Sequence, residues 1–135
     1  MKKQGAMRHF LILLLYVAFI LSCGDGINRY DTSEVVTRDD ITYLFSTMEP
    51  VTGIVSDEYS TGQLWHECSY LNGKKHGKEQ MWFQNGNLSF LNNYVLGEYS
   101  GISAQYYENG QIKKRYYWME HSYQEPDCWE ENGNK

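Results

Sequence analysis

The chain has 135 residues, enough for one domain, and a formal net charge of −5. Aromatic residues make up 16%, with twelve tyrosines and four tryptophans, and twelve glycines stand against two prolines. This balance is typical of many short strands joined by glycine-bearing turns. The acidic charge argues against nucleic-acid binding, because most of the surface would repel a phosphate backbone.

The first 22 residues have the features of an export signal. Lys2, Lys3 and Arg8 precede the uncharged run FLILLLYVAFIL at 10–21. A helix of this length would span about 18 Å, which is too short for a hydrocarbon core of about 30 Å. We therefore predict a signal peptide over 1–22, with an uncleaved membrane anchor as the alternative.

The next segment, ILSCGD at 20–25, resembles the lipobox of bacterial lipoproteins. The resemblance implies that Cys23 becomes the lipidated first residue of the mature chain, and two or more acyl chains would anchor it stably. Because Gly24 rather than aspartate follows the cysteine, the resemblance also implies export to the outer membrane. Cleavage would leave nine of the 12 basic side chains against 17 acidic ones, a net charge of about −8.

Two segments precede the repeated part of the chain. Residues 23–33 include the polar stretch GDGINRYDTS and predict a lipidated tether. The segment SEVVTRDDITYLF then predicts a cap hairpin within 34–52. Its strands would cover 34–38 and 41–45, with Asp39 and Asp40 in the turn.

A period of 24 residues runs through the rest of the chain. Glycines recur at this spacing in two columns: Gly53, Gly77 and Gly101, and Gly62, Gly86 and Gly110. A constant period across several columns predicts a repeat architecture. The predicted units cover 53–76, 77–100 and 101–123, followed by a partial unit at 124–135.

Each unit has the pattern of one β-hairpin. Asn85-Gly86 lies at the centre of the second unit, and Asn-Gly predicts a type I′ turn because both residues tolerate a positive φ. After the turn, Leu88, Phe90 and Tyr94 alternate onto one strand face. A lone hairpin is marginally stable in water, whereas stacked hairpins stabilise one another. We therefore predict an all-β fold: a single-layer antiparallel array of β-hairpins with about 24 residues per unit.

Two aromatic columns beside the turns form the candidate binding surface. One consists of Trp82, Tyr106 and Trp129, and the other of Tyr59, Phe83 and Tyr107. We expect the two columns on opposite faces of the sheet. A thin sheet cannot easily bury both, so one column would line an aromatic groove suited to a peptide or glycan. The alternative is that both columns only stack within the array.

The pattern aromatic-aromatic-x-Asn-Gly-x-aliphatic, clearest in MWFQNGNL and YYENGQI, resembles the variant MORN repeat. The arrangement VVTRDDITYLFSTMEPVTG followed by such repeats is similar to bacterial proteins of the YwqK antitoxin family. The resemblance covers about 34–135 and implies a scaffold or binding surface without catalytic residues. For bacterial members it implies neutralisation of a partner protein, and for eukaryotic relatives membrane association. In the first unit YSTG replaces the turn pattern, so we expect that turn to be less regular.

The remaining reactive residues predict no chemistry. His66 and Cys68 would share a strand face as half a metal site, but the aligned positions of other units supply no further ligands, so we predict no metal and no cofactor.

Cys68 and Cys128 would lie five strands apart, roughly 24 Å at about 4.8 Å per strand. A disulfide needs Cα atoms within about 7 Å. Nucleophile and phosphate-loop motifs are absent from the sequence, so we do not expect an enzyme.

These features together predict a non-catalytic lipoprotein of the bacterial cell envelope. It would contact the membrane through the lipid on Cys23 and bind a protein or peptide partner. The open last strand also favours an edge-strand homodimer as one way of covering that edge. The alternative is a cytoplasmic, antitoxin-like protein that neutralises a toxin by direct binding. The sequence leaves the partner and the side of the membrane open.

Overall fold

A computed structural model describes residues 26–119 and 122–135. The predicted signal peptide, Cys23 and the first part of the tether lie outside the described residues. The described part forms one sheet of ten strands and one sheet of two. None of its helical segments has the length and apolar character needed to span a bilayer.

The elements follow one another along the chain with short connections. In chain order they are β1 (Arg29–Asp31), a 3-10 helix (Thr32–Glu34), β2 (Val35–Arg38), β3 (Ile41–Leu44), β4 (Gly53–Glu58), β5 (Leu64–Leu71), β6 (Lys74–Trp82), β7 (Leu88–Val95), β8 (Glu98–Tyr99), β9 (Gly101–Tyr106), β10 (Ile112–Met119), β11 (Ser122–Tyr123) and β12 (Asp127–Cys128).

The large sheet has the order β1-β4-β5-β6-β7-β9-β10-β11, with β8 also paired to β7 and β12 to β10. All pairs among strands β4 to β12 are antiparallel. The predicted all-β array of antiparallel hairpins is therefore confirmed.

The predicted tether is partly built into the sheet. β1 pairs in parallel with β4, so that Arg29 lies opposite Ile54. The N–H of Ile54 also donates to the carbonyl of Asn28 at 2.8 Å, and Asp31 caps the 3-10 helix that follows. The prediction of a free tether is thus wrong for 29–33. The physical reason is that β4 would otherwise be an open sheet edge, and the preceding segment satisfies its backbone groups.

The segment predicted as the cap contains the hairpin formed by β2 and β3, which we call the cap hairpin. Its turn residues, Asp39 and Asp40, have φ of 50° and 61°. The hairpin docks on the connection between β5 and β6, where the N–H of Thr42 donates to the carbonyl of Gly73 at 2.8 Å. A Cβ on Gly73 would lie 2.4 Å from Cγ2 of Ile41. Glycine is therefore required where the cap hairpin meets the sheet.

The turns at the centres of the units differ from the predicted type I′ form. The N–H of Phe83 donates to the carbonyl of Asn87 at 2.8 Å, and the N–H of Gly86 donates to the carbonyl of Phe83 at 2.9 Å. Within this fully described loop, Gly86 has a positive φ of 85° and Asn85 does not. These are features of a three-residue loop, a type I turn followed by a left-handed glycine.

Three further loops have the same pair of backbone hydrogen bonds, around Gly62, Gly110 and Gly133. The expectation that the first unit has a less regular turn is therefore wrong for its backbone. The glycine alone supplies the positive φ in each loop, so the residue before it can vary.

Turns with two left-handed residues occur at the opposite ends of the hairpins. Asn72 and Gly73 connect β5 to β6 with φ of 49° and 78°, and Leu96 and Gly97 connect β7 to β8 with φ of 51° and 97°. Asparagine tolerates this conformation well, but a bulky side chain does not. The cost for Leu96 is about 1–2 kcal/mol.

Each glycine that opens a unit faces an aromatic residue across the strand pair. The three pairs are Gly53 with Tyr70, Gly77 with Tyr94, and Gly101 with Trp118. A ring can lie over a strand position that has no side chain, which recovers contact area lost at the glycine. This pairing explains why both columns keep the same 24-residue spacing.

One row of buried side chains crosses the sheet. Val55 lies opposite Cys68, Cys68 opposite Glu79, and Glu79 opposite Asn92. Each of the four is at most 5% exposed. Since two of them are polar, the row depends on hydrogen bonds as well as on apolar contact.

Candidate functional site

The buried carboxylate of Glu79 is the centre of a hydrogen-bond cluster. Its Oε1 accepts from Nζ of Lys75 at 2.6 Å and lies 3.3 Å from Nε2 of His66. Its Oε2 accepts from Nδ2 of Asn92 at 3.1 Å and from the hydroxyl of Tyr94 at 3.0 Å. Both oxygens therefore have two partners, which is how a buried charge is tolerated.

This environment sets the ionisation of the cluster. Burial by itself raises the pKa of Glu79, but the hydrogen bonds from His66, Lys75 and Asn92 together hold that pKa well below its usual range. Burial, and next the charge of Glu79, raises the pKa of Cys68 to about 12. The Cys68 thiol therefore stays protonated near neutral pH and is a poor nucleophile.

The same cluster shows what His66 and Cys68, which share one face of β5, do in the fold. His66 lies 3.3 Å from a Glu79 oxygen, and Cys68 is fully buried. In the part of the chain that the structure describes, no group of three His, Cys, Asp or Glu side chains is placed to hold a metal ion. The cluster is best described as a structural network that joins β5, β6 and β7.

A cleft of about 540 Å³ lies next to this cluster, between the cap hairpin and the ends of the β5–β6 and β7–β8 hairpins. We call it the cap cleft. Its lining combines threonine hydroxyls, two tyrosines, both signs of charge and one leucine: Thr37, Asp40, Thr42, Tyr70, Lys74, Lys75, Tyr94, Leu96 and Glu98. Sequence reasoning missed this cleft, because residues from three separate hairpins form it.

An aromatic row begins at the cap cleft and continues across the sheet. The ring of Tyr94 lies 4.7 Å from Tyr99, Tyr99 stacks on Trp118 at 4.5 Å, and Trp118 lies 5.1 Å from Tyr123. Nε1 of Trp118 donates to the hydroxyl of Ser103 at 2.9 Å. The row therefore ties the β8 and β11 segments to the sheet through ring contacts.

The ends of the hairpins on this side carry exposed apolar side chains. We call this set the apolar rim: Val95, Leu96, Tyr99, Met119 and Tyr123, which are 43–56% exposed. Two members are rings of the aromatic row, and Val95 and Leu96 lie at the turn beside the cap cleft. Tyr99 and Tyr123 lie on the face of the aromatic row, whereas Val95 and Met119 point to the other face at the same end of the sheet. Large apolar side chains exposed together at one end of a sheet indicate an interaction site.

The two predicted binding columns contain residues that make contacts between neighbouring units. All six are half-buried: Trp82, Tyr106, Trp129, Tyr59, Phe83 and Tyr107. The hydroxyl of Tyr59 donates to the carbonyl of Trp82 at 2.7 Å, and that of Tyr107 donates to the carbonyl of Trp129 at 3.0 Å. The contacts favour the alternative that these columns hold neighbouring units together.

Trp129 is also enclosed by cations. Arg115 and Lys135 lie over its ring at 5.2 Å and 5.5 Å from the ring centre. Arg115 pairs with Asp127 at 3.0 Å, and Lys135 pairs with the same carboxylate. Hydrogen bonds from Lys135 and Arg115 lower the pKa of Asp127. These contacts cover part of the β12 strand that the sequence predicted to be open.

The asparagines of the Asn-Gly pairs have a role that the turn prediction did not include. Oδ1 of Asn85 accepts from the N–H of Asn87 at 2.9 Å, and its Nδ2 donates to the carbonyl of Glu108 in the next unit at 2.8 Å. Asn109 likewise donates to the carbonyl of Glu131 at 3.0 Å. Asparagine therefore joins successive turns rather than supplying a left-handed residue.

Both remaining cysteines are free; Cys68 is buried and Cys128 is exposed. They lie on β5 and β12, and β6, β7, β9 and β10 separate these strands in the sheet. That separation agrees with the geometric argument against a bond between them.

Comparison with known proteins supports the repeat assignment. Two segments, 75–95 and 99–119, match the family described as the MORN repeat variant. They cover the β6–β7 hairpin and the β8–β10 region, so the predicted repeat type is confirmed for these two units. Searches among curated proteins and among solved structures found no significant match.

Proposed function

We propose that the chain is a non-catalytic repeat module that binds a protein at the bacterial cell envelope and is anchored there by a lipid on Cys23. The two MORN repeat variant matches support a binding or scaffold role, because such repeats generally serve as protein- or membrane-binding modules. Function rests on the surface that the repeats display rather than on the fold alone.

The apolar rim is the observation that carries the binding part of this proposal. Val95, Tyr99 and Met119 lie within the two matched segments, Leu96 lies between them and Tyr123 follows them, and each is 43–56% exposed. A monomeric protein rarely keeps a group of large apolar side chains in water without a use for them. A protein partner would bury this surface and gain free energy in proportion to the apolar area removed from water.

The anchoring part rests on the sequence around Cys23. β1 begins at Arg29, six positions after the cysteine, and six residues reach at most about 20 Å. A lipid on Cys23 would thus hold the sheet close to the membrane surface. Gly24 after the cysteine supports the outer membrane as the site of anchoring.

Metabolic labelling with radioactive palmitate tests the anchor. We expect wild-type chain to take up label, Cys23→Ala to lose it, and the matched control Cys128→Ala to keep it. Separation of inner and outer membranes on a density gradient should place the labelled chain in the outer-membrane fraction.

Crosslinking in intact cells tests the binding role. We expect a specific envelope protein to crosslink to the wild-type chain and to be lost from a variant with Tyr99→Ser and Tyr123→Ser. If the labelled chain crosslinks to no protein, the binding role is wrong. If the chain takes up no label and fractionates with the cytoplasm, the anchor is wrong and a toxin-neutralising role in the cytoplasm replaces it.

A further inference from the structure

Leu96 is placed where a leucine is unfavourable in two ways. It has a φ of 51°, in the left-handed region, and its side chain is 53% exposed. One repeat earlier the same turn position is occupied by Asn72, with φ of 49°. Asparagine suits this conformation, so leucine neither eases the turn nor fills the core. A strained residue that does not help folding indicates a function at that position.

Leu96 lies at the mouth of the cap cleft. It is one of the residues that line the cleft, and Val95 beside it is 50% exposed. Leu96 supplies the aliphatic tip of the β7–β8 turn, whereas Val95 follows Tyr94 in β7 and points to the opposite face of the sheet. Opposite this tip, the cap hairpin supplies Thr37 and Asp40 to the cleft lining. A molecule in the cleft would therefore contact polar groups on one side and aliphatic carbon on the other.

The charges in the cap cleft disfavour an anionic occupant. The lining carries Lys74, Lys75, Asp40 and Glu98, but Lys75 is already paired with the buried Glu79 at 2.6 Å. A phosphate would therefore meet two carboxylates, with only the charge of Lys74 to attract it. A peptide main chain carries no net charge and offers N–H and C=O groups that can use donors and acceptors of both kinds. The volume of about 540 Å³ is within the usual range of ligand clefts.

Tyr94, one of the two tyrosines in the cleft lining, is poorly placed for stacking by a sugar. Nζ of Lys75 lies 5.0 Å from the centre of the Tyr94 ring, and the Tyr99 ring lies 4.7 Å from it. Contacts already made by Tyr94 leave little of its ring for stacking by a sugar. The exposed apolar side chain of the cleft lining is Leu96, which suits an apolar amino-acid side chain.

We propose that the cap cleft binds a short extended peptide segment of a protein partner, with its main chain between the cap hairpin and Lys74 and one apolar side chain against Leu96. The inference rests on the proposed protein-binding function and identifies the surface that performs it.

A selection experiment tests this site and does not require the partner to be identified. The full chain, immobilised in mild detergent, is presented with a phage-displayed library of random dodecapeptides. We expect the enriched peptides to share one apolar residue. Their affinities, measured by fluorescence anisotropy, should fall at least tenfold with Leu96→Asn and stay within twofold with Ile102→Asn. Ile102 is the matched control, because it is an aliphatic residue on β9 that is 44% exposed and lies outside the cleft lining.

The stability of the variant excludes unfolding as the cause of lost binding. Asparagine tolerates a positive φ, so Leu96→Asn should raise the urea midpoint while it lowers peptide affinity. A second variant, Lys74→Gln, should weaken the same peptides, because Lys74 lines the cleft. Failure to enrich any peptide, or equal affinity of the peptides for wild type and Leu96→Asn, would overturn the site.

Two further outcomes separate this inference from the proposed function. A saccharide from a glycan panel that binds wild type but not Leu96→Asn would replace the peptide as the occupant. An envelope protein that crosslinks equally to wild type and Leu96→Asn would leave the proposed function standing and overturn the cleft as its site. Loss of the palmitate label with unchanged peptide binding would overturn only the anchor.

Discussion

Replacing Glu79 with alanine should remove a large part of the stability of the sheet. The change leaves the donors of Lys75, Asn92 and Tyr94 without their acceptor. Lys75 can turn toward water, since its side chain is 35% exposed, but Asn92 and Tyr94 are 2% and 7% exposed and cannot. Two buried donors that each lose a hydrogen bond to a charged group account for about 1.5–3 kcal/mol apiece.

The expected loss in the free energy of unfolding is therefore about 3–6 kcal/mol, which overlaps the usual cost of about 3–5 kcal/mol for removing one partner from a buried charged network. A domain of this size is typically stable by about 5–15 kcal/mol in total. Glu79→Gln should cost less than alanine, because it keeps the volume and one carbonyl acceptor while losing the charge.

Urea unfolding followed by tryptophan fluorescence measures this loss. The matched control is Glu67→Ala on β5, whose ion pair with Arg29 spans 3.0 Å between side chains that are 22% and 63% exposed. A surface pair of this kind contributes less than about 1 kcal/mol. If Glu79→Ala costs no more than the control at equal denaturant slopes, the hydrogen-bonded row does not stabilise the sheet as we argue.

Three further predictions follow from the same geometry. The pKa of Glu79 is lower in the folded chain than its value of about 4.3 in the unfolded chain, so the folded state binds fewer protons. The contribution of Glu79 to the free energy of unfolding should therefore be complete above about pH 5 and decrease below it. Urea midpoints measured from pH 7 to pH 3 should show this fall in wild type and a smaller one in Glu79→Gln, and identical slopes would contradict it. Iodoacetamide at pH 8 should alkylate the exposed Cys128 but not Cys68, whose pKa of about 12 and full burial prevent attack; peptide mapping that finds native Cys68 modified would refute this. Tyr107→Phe should lower the free energy of unfolding by about 0.5–1.5 kcal/mol, since it removes the 3.0 Å hydrogen bond to the carbonyl of Trp129, and an unchanged urea midpoint would show that this bond does not hold the last turn.

The repeat could be read from the sequence because its cause is local. The 24-residue spacing of Gly77 and Gly101 matches the structure, in which each glycine faces Tyr94 or Trp118 on the next strand. Strand alternation and turn glycines act over a few residues, so their pattern survives in the order of the chain. The unusual position of Leu96 is also visible in the sequence, because leucine occupies the repeat position at which the preceding unit has Asn72.

The turn type was predicted wrongly for a reason that lies between units. Asn85-Gly86 is compatible with both a two-residue and a three-residue loop. In the structure, Nδ2 of Asn85 donates to the carbonyl of Glu108 in the next unit. Neither the loop length nor this contact is encoded within a single hairpin. The choice between a groove and inter-unit packing for the aromatic columns was open for the same reason, because the Tyr59 hydroxyl reaches a carbonyl of the following unit.

The sequence by itself determined the all-β class, the period and the hairpin as the repeated unit, because these depend on alternation and on residues that permit tight turns. The tertiary structure alone decided that β1 closes the edge of β4 in parallel, that the cap hairpin docks on Gly73, and that the docked cap hairpin forms one side of a cleft beside Leu96. Such contacts join segments that are distant along the chain. They depend on which backbone edges and side chains remain unsatisfied after the local elements have formed, and that is settled only when the elements pack.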